Sequence, residues 1–193
     1  MGYDGGMSTS SSTAFLRLPV PSRPTLAALA LAFLGVLPAC SSTQTVNSAS
    51  AANPLDSEES SLLYQLNMVR EQAGITDALV VCKSLNVSAS KHADSMRDDG
   101  YLADEDPAGG DVRSRACDAG FTPGCNKDAV MAELVASGID EGKKTLDQWL
   151  ADATSKPIAL NPDLKVAGVG RSLAEDGARW ALDLAHDDDP SCE

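Results

Sequence analysis

Histidine is nearly absent from this chain, with two among 193 residues, and aromatic residues make up only 4%. Two imidazoles leave little room for a histidine-rich metal centre, and neither His92 nor His186 has a visible nucleophile partner, so a Ser-His-Asp triad is not indicated. A Gly-x-Ser-x-Gly elbow, a phosphate loop and a dinucleotide fingerprint are all missing. So is any Cys-x-x-Cys pair, which makes a cysteine metal cluster the weaker reading of the cysteines. Basic residues are scarce as well: 15 Lys and Arg stand against 28 Asp and Glu, a formal charge of −13. Nucleic acid and anionic headgroups are poor partners for such a surface, so no nucleic-acid role is expected. A transmembrane helix needs about 20 consecutive apolar residues, and the longest apolar run falls short of that.

That run nonetheless carries information. Arg17 and Arg23 precede it without an intervening acid, and Leu26 to Leu37 is uniformly apolar. A basic flank and a short apolar core read as an export signal. The core ends in Leu37-Pro38-Ala39-Cys40, which resembles the lipobox of bacterial lipoproteins. Acylation of the Cys40 thiol and cleavage before it would leave a lipid-anchored mature chain. The competing reading is an ordinary cleaved signal, cut after Ala49-Ser50-Ala51. The export signal is the same whether translation begins at Met1 or Met7.

Cysteine parity agrees with export. Setting Cys40 aside leaves Cys82, Cys117, Cys125 and Cys192, an even set in a compartment where disulfides persist. Four cysteines allow three pairings. Cys117 and Cys125 flank a short Gly/Pro loop and favour local closure, which leaves Cys82 for Cys192. Closing so long a loop would add about 4 kcal/mol in the chain-entropy model.

Three segments follow: residues 1–40 as signal peptide and lipobox, 41–56 as a flexible Ser/Thr/Ala/Asn-rich tether, and 57–193 as one globular domain. Without Arg17, Arg23 and Asp4, the mature part holds 13 basic and 27 acidic residues.

Within the domain, Asp56 with Glu59 forms an N-cap box signal. Leu62, Leu63, Leu66, Val69 and Ala73 fall on one helical face, and Gly74 ends the helix. A second helix runs from Ser84 to Asp99 with Leu85, Ala89, Ala93 and Met96 inward, ending at Gly100. An acidic Gly/Pro loop spans Tyr101 to Asp111, and a short helix Val112 to Ala119. Val130 to Val135 reads as a strand. Leu146, Trp149, Leu150 and Ala153 mark a further helix that Pro157 should end. Lys165 to Leu173 and Arg179 to Ala185 form a hairpin turned at Glu175-Asp176-Gly177, with Trp180, Leu182 and Leu184 opposite Arg179, Ala181 and Asp183. Helices first and a closing antiparallel hairpin predict an α+β domain in layers.

In this order the elements resemble the CAP superfamily: cysteine-rich secretory proteins, plant pathogenesis-related proteins and bacterial SCP-like domains. The likeness lies in Leu66-Asn67-x-x-Arg70-x-x-Ala73-Gly74, Ala89-x-x-His92-Ala93-x-x-Met96, Arg115-Ala116-x-x-Ala119-Gly120-Phe121 and Ala132-Glu133-Leu134-Val135-Ala136-x-Gly138. It continues through Trp149-Leu150, Leu160-Asn161-Pro162, Gly168-Val169-Gly170 and Arg179-Trp180. The resemblance implies an α-β-α sandwich with a small, mainly antiparallel sheet. It also implies a cleft with two histidines and two acids able to hold a divalent metal. Here Asp104 stands for the first histidine, Glu133 keeps the first acid, Lys143 and Lys144 occupy the second acid, and Ser155 the second histidine. With the tetrad so reduced, neither metal nor cofactor is expected.

His92 is expected to be a packed, hydrogen-bonded core residue, and His186 with Asp187-Asp188-Asp189 a solvated acidic tail. Glu133 is expected to make a structural hydrogen bond; Asp104 with Glu133 as an acid/base pair is the weak catalytic candidate. The expectation is a monomeric, non-catalytic binding lipoprotein at the cell envelope, held to a membrane by Cys40. Its ligand would be an unidentified envelope component or a small apolar molecule. The alternatives are a hydrolase-like enzyme in which Asp104, Glu133 and His92 converge in an open cleft, and a passive envelope spacer.

Overall fold

The computed structural model describes residues 54–193, so the signal peptide, Cys40 and the tether up to residue 53 lie outside the described residues. The first helix, α1 (Ser57–Gln72), starts as its sequence dictates. Asp56 accepts from the Glu58 and Glu59 amides, and the Glu59 carboxylate accepts from the Asp56 amide, a closed capping box worth about 1 kcal/mol. Leu62, Leu63 and Leu66 are buried, but Ala73 lies past the helix end and is exposed. The buried face is completed by Arg70. Its two terminal nitrogens donate to the carbonyls of Ala159, Asn161 and Leu164, which hold a buried cation without a carboxylate.

The remaining elements are β1 (Val80–Val81), α2 (Lys83–Asp99), α3 (Val112–Asp118), a 3-10 turn at Thr122–Cys125, β2 (Met131–Ser137), α4 (Gly142–Ala151), α5 (Ser155–Ala159), β3 (Val166–Ser172) and β4 (Arg179–Ala185). The four strands lie in the order β1-β3-β4-β2, with β1 parallel to β3 and the other pairs antiparallel. Disulfides join Cys82 to Cys192 and Cys117 to Cys125.

Two expectations are corrected. Pro157 does not end α4. That helix stops at Ala151, and the Asp152 carboxylate accepts from the amides of Thr154 and Ser155 to start α5. Pro157 sits in the first turn of α5, where an amide has no helical partner to lose. Ala153, read as part of the α4 face, is exposed beyond it. The hairpin correction matters more. Trp180, Leu182 and Leu184 do share a face, but Ala181 and Asp183 opposite them are just as buried.

The reason is a sheet covered on both sides. One face, with Ala167, Val169, Trp180 and Leu182, packs against α1, α4 and α5. The other face carries Val166, Ala181 and Ala185 and meets α2 and α3. This is the α-β-α sandwich.

The α2 layer sits unusually close because β3 offers glycines to it. A Cβ on Gly168 would come to 2.1 Å from the Leu85 carbonyl carbon, and one on Gly170 to 2.2 Å from that of Ala89. Asn86 ties the same contact by accepting from the Val169 amide at 3.1 Å.

Helix backbone cannot yield to a methyl group as a flexible side chain can. We therefore expect Gly170→Ala to destabilise the fold by about 1–3 kcal/mol, with Gly168→Ala equivalent. Urea unfolding with unchanged m-value would measure this, and a loss below a few tenths would contradict the tight contact.

Candidate functional site

The close approach of α2 to the sheet places His92 against β2. Its Nδ1 lies 2.7 Å from Glu133 Oε1, with both side chains sealed from solvent. Beside a carboxylate, Nδ1 carries the proton and donates. Nε2 is then a buried acceptor with no partner among the described residues. From α3, Arg115 donates to Glu133 Oε2 at 2.6 Å, and its guanidinium also reaches the carbonyls of Gly110 and Asp104 at 2.6 and 2.9 Å. One guanidinium thus fastens the 101–111 loop to the sheet through Glu133.

Directly across the ladder from Glu133 is Asp183 on β4, fully buried. Glu133 and Ser88 lie near enough to influence it, yet neither oxygen makes a hydrogen bond of good geometry. Burial and the neighbouring Glu133 charge hold the Asp183 carboxyl well above its ordinary range. Burial also raises Glu133 to about 7, with Asp183 and Arg115 opposing. Burial, reinforced by the Arg115 charge, lowers His92 to about 4. The state that fits is a neutral imidazole, a proton on Asp183, and Glu133 paired with Arg115.

His92 is therefore packed and hydrogen-bonded, and Glu133 is hydrogen-bonded on both oxygens. The Asp104 carboxyl stays exposed, and only its backbone carbonyl joins the cluster. Lys143 and Lys144 face solvent, paired with Asp147 and Glu141. Ser155 lies in the first turn of α5. His186 is exposed, with Nδ1 2.6 Å from the Asp163 carbonyl, and Asp187 and Asp188 are solvated. Asp189 departs from that expectation: it is half-buried and hydrogen-bonded to the tail.

These residues do not fit the family's divalent ion. The one retained acid is already held on both oxygens by His92 and Arg115, and two lysines stand where a second carboxylate belongs. Sequence reading missed Asp183 and Arg115 as members of the cluster. The strand alternation put Asp183 on the face away from Trp180, but only the pairing register sets it opposite Glu133.

A family model described as the cysteine-rich secretory protein family (CAP) matches residues 63–184. No curated protein sequence matches the chain. The fold is similar to an outer surface protein of Borrelia burgdorferi, with TM-score 0.57 and 18% identity over 68% of this chain and 95% of that one. It is equally similar to an extracellular protein containing an SCP domain from Bacillus anthracis, with TM-score 0.57 and 18% identity over 69% of this chain and 45% of that one. This chain therefore spans under half the length of the second protein.

The charge states give opposing pH dependences. Glu133 and Asp183 hold protons more tightly in the folded chain, so their contribution is full below the ordinary carboxylate range and is lost as pH rises, through about 7 for Glu133. His92 holds its proton more weakly when folded, so its contribution is present above the ordinary 6.5 and lost as pH falls towards about 4. Asparagine mimics a protonated aspartate. We expect Asp183→Asn to flatten the loss of stability towards alkaline pH, measured by urea unfolding from about pH 5 to about pH 9; a slope equal to wild type would remove Asp183 from this account.

Glu133→Ala should cost about 3–5 kcal/mol by stranding Arg115 and His92. Glu133→Gln should cost less, and thermal unfolding of the two variants side by side gives the comparison.

Proposed function

Given that this chain belongs to the cysteine-rich secretory protein (CAP) family, we propose that it is a lipid-anchored, extracytoplasmic binding module whose cleft residues hold the fold together and do no chemistry. The observation that carries the reading is the enclosure of Glu133, whose two oxygens are taken by His92 and Arg115 at 2.7 and 2.6 Å. A buried acid whose charge is paired with Arg115 and whose other oxygen is held by His92 can neither ligate a metal nor exchange protons with a substrate without dismantling the cluster.

The anchor rests on Leu37-Pro38-Ala39-Cys40 at the end of the apolar core and on the polar stretch after it. No helix among the described residues is long and apolar enough to cross a membrane, so a lipid on Cys40 would be the attachment. A cavity of about 540 Å³ lined by Ser95, Asp99, Asp106, Pro107 and Ala108 lies between α2 and the 101–111 loop. Its ligand-like size supports binding over a passive spacer. Asp99 and Asp106 on its wall favour a polar or cationic ligand over a small apolar one.

One observation favours the enzyme reading. His92 bonded through Nδ1 to a carboxylate, with Nε2 unpartnered, is the arrangement of an oriented general base. Against it, the His92 side chain is sealed from solvent, so the loop would have to lift before any substrate arrived.

Intact, non-reduced mass spectrometry of membrane-extracted protein should find a diacylglyceryl adduct on an N-terminal Cys40 and two disulfides. An unmodified N-terminus beyond Ala51 would sink the anchor. The non-reduced protein should bind no zinc at micromolar concentration; binding abolished by Glu133→Ala would restore a metal cleft. Hydrolysis of ester or amide substrates that disappears in His92→Ala would favour the enzyme instead.

A further inference from the structure

The C-terminal tail carries a second cluster of ligating groups, remote in role from the His92 cluster. Cys82 occupies the N-cap position of α2 but gives that helix no side-chain hydrogen bond. The tail supplies what is missing. The Lys83 amide donates to the Ser191 carbonyl at 3.0 Å, the Ser84 amide to Ser191 Oγ at 3.3 Å, and the Glu193 amide to the Val81 carbonyl at 2.8 Å. Cys192, between Ser191 and Glu193, is bonded to Cys82.

Asp189 folds back over the same point. Its Oδ1 accepts from Ser191 N and Oγ and lies 3.7 Å from Cys192 Sγ, while Oδ2 accepts from the Thr122 amide at 3.3 Å. Both sulfurs and one Asp189 oxygen lie within 4.8 Å of one another.

We infer that the Cys82–Cys192 disulfide is the oxidised form of a redox-gated metal site, in which Cys82, Cys192 and Asp189 bind a zinc-like divalent ion once the sulfurs are reduced. Two thiolates and a carboxylate are a donor set for such an ion, with water in the fourth position. The site would be preorganised, because the sulfurs are positioned by the tail's backbone hydrogen bonds as well as by the bond between them. Opening the disulfide need only let them part to span the ion. The positive end of the 17-residue α2 favours negative charge on Cys82.

The reductant is a dithiol. Its thiolate attacks Cys192 Sγ, the half-buried sulfur, and the electron pair of the broken bond leaves on Cys82. The second thiol of the reductant displaces Cys192 and departs as a disulfide, two electrons having passed to the protein. Metal binding then releases the protons of the two protein thiols. Oxidation by a disulfide reverses the sequence and expels the ion. The inference does not depend on the function proposed for the family cleft.

Cobalt(II) is the probe, with a phosphine as the laboratory reductant. Cys117→Ser/Cys125→Ser removes the other disulfide so that only this pair responds. The reduced double variant should take up one equivalent of cobalt with a thiolate-to-metal charge-transfer band and tetrahedral ligand-field bands. The non-reduced protein should show none. Adding Cys192→Ser should abolish the band, and Asp189→Asn should weaken binding about tenfold or more. Should the double variant fail to fold, reduced wild type against Cys192→Ser reads the same site. No band from the reduced pair, or a band that survives Cys192→Ser, would overturn the inference.

Discussion

The structure depends on how closely α2 can lie on β3. Gly168 and Gly170 present bare backbone where any side chain would collide with Leu85 and Ala89. Everything on that side of the sheet follows from the contact. It buries Ala89 and Met96 over Ala181 and lets Asn86 reach the Val169 amide. It also delivers His92, two turns along the helix from Leu85, to hydrogen-bonding distance of Glu133. A helix held farther off would leave a wet gap between imidazole and carboxylate. The polar cluster is then possible only because the apolar contact beside it is so tight.

The cluster illustrates how an acid retained from the family's cleft can be enclosed by its neighbours. A buried acid is costly unless its charge is paired and its oxygens are bonded. Glu133 meets that demand with one neutral donor and one cation. Arg115 in turn donates from its two terminal nitrogens to the loop carbonyls of Asp104 and Gly110, so the salt bridge also shapes the surface beside the 540 Å³ cavity. Asp183 is tolerated by keeping its proton. The same residues that would be reactive if exposed become a cross-link among α2, α3, β2 and β4. The Cys82–Cys192 end of the molecule uses a different bond for a similar purpose, tying the tail to the start of α2.

Much of the fold was legible residue by residue. The Asp56–Glu59 box, the apolar face of α2 and its Gly100 stop, and the two hairpin strands are local signals, readable because caps and periodicity act within a few residues. The misreadings came where locality ends. Pro157 looks like a terminator in isolation, but proline in a first helical turn costs nothing, and only the helix break at Asp152 between α4 and α5 places it there. Asp183 looks like a solvent-facing residue on an alternating strand, which holds for a sheet covered on one side. Here the second face is roofed by α2, so alternation separated two buried faces instead of a wet one from a dry one.

Composition, cap motifs, strand alternation and cysteine parity by themselves determined most of the elements, their order and the acidic surface, since each depends on residue identity and short-range spacing; the reduced metal tetrad came from the family likeness. The family likeness added which side chains to compare. Only the tertiary structure decided what Glu133 does. His92 lies 41 residues before it, Arg115 lies 18 before it, and Asp183 sits opposite on another strand. Their convergence is set by sheet register and by two glycines on a third strand. No local pattern encodes a distance across layers, so the enclosure of Glu133 between His92 and Arg115 becomes visible only when the layers are in contact.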